Sequence, residues 1–215
     1  MGKVTDSLLS GTSGRTGRIV VTNVHGHEIS RIRPRRGNRT TTPKQQLIKD
    51  RFMFAINFIQ GYKEIVKEYY GKRIGLKSPY NMAMSNLLKA ISLNVDNLTF
   101  NLNPAQVAFT KGTLLPPQPL DIASNNPNEL TINWENNANT TEQEEEVLFI
   151  MFAEGEPQSL TTTVFQTAVT RAEGTITVQL LPMYQGMELQ VWISFVNPFE
   201  KKASNSAYIG TVTIN

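Results

Sequence analysis

Apolar and polar positions follow two different periods along this chain, and the period changes twice. Ile19, Val21 and Asn23 point one way and Val20, Thr22 and Val24 the other; after His25-Gly26-His27 the alternation resumes through Ile29, Arg31 and Ile32. Period two around a Gly-containing turn predicts a β-hairpin. From Pro43 the period lengthens, and Ile48, Phe52, Ala55, Ile56 and Ile59 mark one face of a helix. Thr42 can cap it, Pro43 suits its first position, and Gln45 can complete a capping box. The helix is expected to run to about Gln60 or, after a break at Gly61, to Tyr70. Met53, Phe54 and Phe58 fall outside its stripe. A helix apolar nearly all round is buried on more than one side. Phe54 and Phe58 are therefore candidate contacts for a neighbouring chain, with burial inside their own domain as the alternative.

Tyr62 to Ile74 is amphipathic through Ile65, Val66, Tyr69 and Tyr70, with a stop at Gly71. Ser78 and Pro79 open a further helix to about Ser92, with Met82, Leu87, Leu88 and Ile91 on its face. Met82 and Met84 read as core filler. Leu98 to Leu102 and Gln106 to Phe109 look strand-like. Pro116-Pro117 marks a domain boundary. Beyond it period two returns, with candidate strands at 120–124, 129–135, 146–153, 161–170, 174–181, 187–197 and 207–214. Seven short strands in about 100 residues describe an antiparallel sandwich of the immunoglobulin or fibronectin type III kind, with Trp134 and Trp192 as core aromatics. Without cysteine the fibronectin-like variant is favoured. The predicted fold class is thus α+β: a basic hairpin arm at 1–40, a helical domain with short strands at 41–115, and a β-sandwich at 118–215.

Composition changes this picture in two ways. Hydrophobic residues make up 40% of the 215, enough for a core, and there is no cysteine, so disulfides, thiolate metal sites and cysteine nucleophiles are excluded. Charge is distributed unevenly. Residues 1–44 hold nine Lys and Arg against Asp6 and Glu28, a net +7, whereas residues 118–160 hold nine acids and no Lys or Arg. Regions of opposite sign can steer association with a polyanion or with another copy of the molecule.

Candidate chemistry is sparse. Gly11, Gly14 and Gly17 have neither a Walker nor a dinucleotide spacing and no helix opens directly behind them, so residues 1–17 read as a flexible, turn-rich arm. His25 and His27 could share a strand face and hold a metal, but no further ligands are signalled nearby, and they read as turn residues. Arg18, Arg31, Arg33, Arg35, Arg36 and Arg39 supply planar donors for carboxylate or phosphate. They suit acidic protein surface or, as the alternative, nucleic acid, although no aromatic residues interleave as a single-strand platform would need. Glu142, Glu144, Glu145 and Glu146 lack the spacing of a calcium loop and read as a solvated acidic loop able to meet basic partners. No cofactor is implied. No apolar run approaches bilayer length and Met1 to Ser10 is no signal peptide, so the chain is expected to be intracellular or part of an assembled particle, unless exported by another route.

Several motifs together resemble a known family. They are Gly11-x-x-Gly14-x-x-Gly17-Arg18-Ile19-Val20-Val21, then Thr42-Pro43-Lys44-Gln45-Gln46 followed by Arg51-Phe52, then Phe109-Thr110-Lys111-Gly112-Thr113-Leu114, and the ending Ser204-Asn205-Ser206-Ala207-Tyr208-Ile209-Gly210. Nearly the whole chain resembles an uncharacterised Bacteroidota family, a domain of unknown function. Its members carry an R-T-P-x-Q-x-x-x-R-x-x-F helix start and an S-N-S-x-Y-x-G ending. This chain departs at Arg39-Thr40-Thr41-Thr42-Pro43, which inserts two threonines. The resemblance implies an architecture and no activity.

An enzyme needs convergent acid, base or nucleophile groups, and none is signalled. The expected function is therefore structural or assembly work. The basic arm, the apolar helix and the sandwich would bind neighbouring copies or another structural protein, in a filament- or virion-like manner when copies join head to tail. Nucleic-acid or polyanion binding through 31–39 is the alternative. Surface adhesion through the sandwich loops is a third reading, disfavoured by the missing export signal.

Overall fold

A computed structural model describes residues 2–5, 9–34, 40–155 and 159–215. Arg35, Arg36 and Arg39 lie outside the described residues. Contacts divide the chain into two units, one of residues 1–41 with 74–76 and one of 42–73 with 77–215.

The first unit is a four-stranded antiparallel sheet of β1 (Gly2–Lys3), β2 (Gly14–Thr16), β3 (Ile19–Val24) and β4 (His27–Ile32), in the order β1-β4-β3-β2. The predicted hairpin is β3–β4. Its two turn residues, His25 and Gly26, both have positive φ (53° and 82°), the geometry that matches the twist of paired strands. Asn23 Oδ1 accepts a hydrogen bond from Gly26 N at 2.8 Å and holds the turn. The flexible arm expected over 1–17 is corrected. Gly17 (φ 58°) and Arg18 form a second tight turn that pairs Thr16 with Ile19, so the glycines fold 14–16 back as a strand. Gly2 and Lys3 add a fourth strand against Ser30 and Ile29.

The second unit opens with α1 (Pro43–Gln60), α2 (Lys63–Tyr69) and α3 (Pro79–Ala90). The capping box at Thr42 forms as read: Thr42 Oγ1 accepts from Gln45 N, and Gln45 Oε1 accepts from Thr42 N. Ser78 caps α3 through Asn81 N. A hairpin of β5 (Ile91–Asn94) and β6 (Thr99–Leu102) follows. The strand expected over 106–109 does not form: Gln106 ends a 3-10 turn, Pro104–Gln106, whose first carbonyl accepts from Trp192 Nε1 at 2.9 Å, and 107–109 continue without a strand.

The rest is β7 (Gln118–Ala123), β8 (Glu129–Glu135), the short α4 (Thr141–Glu144), β9 (Val147–Glu154), β10 (Thr161–Thr170), β11 (Thr175–Gln179), β12 (Glu188–Asn197), β13 (Lys202–Ala203) and β14 (Ala207–Thr213). All seven predicted stretches are strands. They form two antiparallel sheets, β11-β8-β7 and β10-β9-β12, with β13 and β14 both paired to β12. The fold is α+β, with mostly antiparallel sheets and four helices in the described chain.

Strand alternation explains the layering. Leu130, Ile132 and Trp134 of β8 meet Leu148, Ile150 and Phe152 of β9 and Val191, Ile193 and Phe195 of β12 in one cluster. The opposite faces of β9 and β12, with Phe149, Met151, Trp192 and Val196, pack on the helices in a second cluster. The two central strands are thus buried on both faces, which is why 147–153 is apolar without a break. The helical segment expected as a unit of its own therefore shares a core with strands beyond Pro116-Pro117. Among the described residues no helix is long and apolar enough to cross a membrane.

One helix face differs from expectation. The buried residues of α1 are Leu47, Phe54, Ala55, Phe58 and Ile59, a stripe rotated from the one read at Ile48 and Phe52. Phe54 lies against Phe100 with ring centroids 5.4 Å apart, and Phe58 stands edge-on to Trp192 at 6.3 Å. Phe54 and Phe58 are therefore core residues, and their reading as partner contacts is corrected. Burying a phenylalanine contributes about 1.5–3 kcal/mol, and the aromatic partners make this the richer side of the helix. Burial also lifts the Tyr62 hydroxyl well above the ordinary phenol range and the Tyr70 hydroxyl to about 12.

Candidate functional site

Arg171 is the one basic residue between Lys111 and Lys201, and it is fully buried. It begins the 3-10 turn Arg171–Glu173 after β10, fixed by reciprocal hydrogen bonds between Thr170 and Glu173. Its Nη2 donates to Glu146 Oε2 at 2.5 Å and to the Leu115 carbonyl at 2.9 Å, and its Nη1 donates to Asn137 Oδ1. The guanidinium lies 3.9 Å from the Phe195 ring centroid, and the Arg171 carbonyl accepts from Trp134 Nε1 at 2.9 Å. A planar donor fork suits this task, because one group satisfies three acceptors on separate segments.

The segments so tied carry a groove of about 520 Å³. Its lining includes Leu115, Glu142 and Glu145 from the tied loops, and Pro198, Phe199 and Glu200 from the turn between β12 and β13. Asn197 Oδ1 accepts from both Phe199 N and Glu200 N at 3.1 Å, which shapes that turn. Phe199 is 96% exposed. Glu142 in α4 and Glu145 just after it are exposed, and Thr140 Oγ1 caps the helix by accepting from the Gln143 backbone N–H.

The first unit carries the opposite charge. Register places Arg15 opposite Val20 and Val20 opposite Arg31, while Lys3 pairs with Ile29, so Lys3, Arg15 and Arg31 share one sheet face. Just beyond, Arg33 N donates to the Arg18 carbonyl at 2.8 Å. Arg15, Arg18, Arg31 and Arg33 thus gather at one end of the sheet, all exposed.

A third feature is apolar. Ile48, Phe52 and Met53 on the outer side of α1 are 56%, 46% and 54% exposed. They include two residues of the stripe read from the sequence as the buried face.

Of the residues singled out from the sequence, Arg18, Arg31 and Arg33 come together. Glu142 and Glu145 line the groove, and Glu144 lies beside them, half-buried on α4. Glu146 is corrected: it is 3% exposed and committed to Arg171, because a buried cation needs a paired anion. Among the described residues no three His, Asp or Glu side chains gather as a metal site would need. Arg171, Leu115 and Phe199 were missed. The isolation of Arg171 in a basic-free stretch was a usable signal, as was an aromatic residue in the turn-forming Asn197-Pro198-Phe199.

The sequence pattern of the family of unknown function DUF6266 matches residues 11–210. The chain belongs to that family. This DUF6266 chain matches no curated protein. Among solved structures it is similar to the fn3 domain of the human collagen alpha-1(XX) chain at 14% identity, over 49% of this chain and 85% of that one. The TM-score is 0.28, too low for the likeness to carry an argument.

Proposed function

We propose that this DUF6266 protein is a non-enzymatic assembly protein, which binds further copies of itself or a structural partner through its basic N-terminal sheet and the acidic region of its second unit. The observation that carries the reading is the thinness of the first unit's core. Val21 is the one buried hydrophobic residue among its described strands, while Ile19, Val24 and Ile32 stay exposed. A small sheet needs a packed apolar face to be stable, and a neighbouring molecule supplies one. The charge asymmetry of the sequence supports the same reading, since complementary potentials favour docking of like copies.

The second unit is read as a fibronectin type III or immunoglobulin-like sandwich. Its two antiparallel sheets share one apolar cluster. Buried Tyr184, ahead of β12, stands where such sandwiches carry a tyrosine corner. That architecture supplies a scaffold for binding loops and specifies no chemistry.

Light scattering of the full chain over a concentration series tests the assembly reading. Molar mass is expected to rise above the 24.1 kDa of one chain at low salt and to fall back as salt screens the charges. A single-chain mass at every concentration and salt would sink it.

The exposed Arg15, Arg18, Arg31 and Arg33 also favour a second reading, polyanion binding. Fluorescence anisotropy with a labelled oligonucleotide at about 50 mM salt separates the two, because counterion release makes such binding strongest at low salt.

A further inference from the structure

The exposed end of the N-terminal sheet and the groove of the second unit carry charged side chains of opposite sign. Arg15, Arg18, Arg31 and Arg33 make no ion pair among the described residues, and neither do Glu142 and Glu145. Ile32, next to Arg31 and Arg33 in sequence and on the opposite strand face from Arg31, is 79% exposed at the end of β4. Phe199, 96% exposed, lines the groove together with Glu142, Glu145 and Leu115. The sheet end therefore offers an apolar residue near positive charge, and the groove an apolar residue near the carboxylates of Glu142 and Glu145. Arg171, the one Lys or Arg between Lys111 and Lys201, is turned inward and bound by Glu146, Asn137 and Leu115, and Lys202 pairs with Glu200 at the groove rim. Glu142 and Glu145 are left to meet a cation from elsewhere.

We infer that the groove formed by 113–115, 140–146 and 197–200 is the docking site for the Arg31-Ile32-Arg33 sheet end of a second copy of this chain. The inference rests on the assembly reading and names its site. Ile32 enters beside Phe199 and Leu115, where both lose water contact. Arg31 and Arg33 reach Glu142 and Glu145 on either side, and a guanidinium can bind a carboxylate through two parallel hydrogen bonds. The groove is prepared for this. Arg171 fixes Leu115 and the 137–146 loop to the domain, so little order is lost when the partner enters. Because the two surfaces differ, the contact is head-to-tail, and repetition generates rings or open filaments.

The test uses three full-length variants followed by sedimentation velocity at low salt, with thermal melting as the folding control. Glu142→Lys with Glu145→Lys alters the groove, and Arg31→Glu with Arg33→Glu alters the sheet end. Each is expected to abolish association alone, and mixing the two is expected to restore it, since each supplies the surface the other lacks. Phe199→Ser touches a fully exposed side chain, leaves the melt unchanged, and is expected to weaken association at least about tenfold, as loss of an interface anchor does. Wild-type protein that associates while all three variants associate equally well overturns the groove as the site and leaves the assembly reading standing. Wild-type protein that stays single at every concentration overturns both.

Discussion

Glu146 and Arg171 meet at 2.5 Å with their side chains 3% and 0% exposed. Twenty-five residues separate them in sequence, and their pairing joins the start of β9 to the end of β10. Breaking such a pair leaves a charge buried without its counterpart. Glu146→Ala is expected to lower unfolding free energy by about 3–5 kcal/mol, measured by urea denaturation. Glu146→Leu with Arg171→Met removes both charges and is expected to be less destabilised than the single change. A single variant within about 0.5 kcal/mol of wild type, the usual surface range, would refute the hub.

Gly61 ends α1 for reasons of space. Its φ of −67° suits any residue, but an added Cβ would sit 1.8 Å from the Thr162 carbonyl oxygen. β10 crosses the helix end there, with Thr162 Oγ1 donating to the Phe58 carbonyl at 2.6 Å. Gly61→Ala is expected to cost about 1–3 kcal/mol or more, because backbone must move on both elements. A melting temperature equal to wild type would show that the approach is looser than this.

Phe52 and Phe54 separate the two faces of α1. Phe54 is 4% exposed and touches Phe58 and Phe100, whereas Phe52 is 46% exposed. Phe54→Ala is expected to cost about 3–5 kcal/mol, and Phe52→Ala to stay within about 0.5 kcal/mol. Equilibrium unfolding of both variants decides the matter, and equal losses would contradict the observed burial.

Tyr62 and Tyr70 make stability depend on alkaline pH. Burial raises both hydroxyls above the ordinary 10.0, Tyr70 to about 12. Unfolded tyrosine releases its proton first, so the unfolded state binds fewer protons above pH 10 and stability falls as pH rises. The contribution is complete below pH 10 and is lost as pH climbs through about 12. The Tyr62 hydroxyl meets no hydrogen-bond partner among the described residues, and its ring stands edge-on to Phe58. Tyr62→Phe keeps that contact and is expected to stabilise the fold by about 1 kcal/mol and to flatten the alkaline slope. Thermal melts from pH 8 to 11 read both effects.

Local signals were legible in the sequence. The capping box at Thr42 and Gln45, the turn at His25-Gly26 and the seven strand stretches from 118 onward rest on neighbours within a few residues, so a one-dimensional pattern contains them. The gathering of Arg18, Arg31 and Arg33 was partly legible, because a hairpin returns the chain to its own start.

What the sequence left open was decided by packing between distant segments. A helix apolar on two sides can bury either one. The aromatic rings of Phe100 and Trp192, placed by β6 and β12, turned Phe54 and Phe58 inward and left Ile48 and Phe52 outside. Five glutamates from 142 to 154 share one composition, yet Glu146 alone meets the buried Arg171 guanidinium, while Glu142 and Glu145 keep their water. Period and composition describe what a residue can do. Which partner reaches it first is a property of the assembled core, where each buried polar group must find its counterpart.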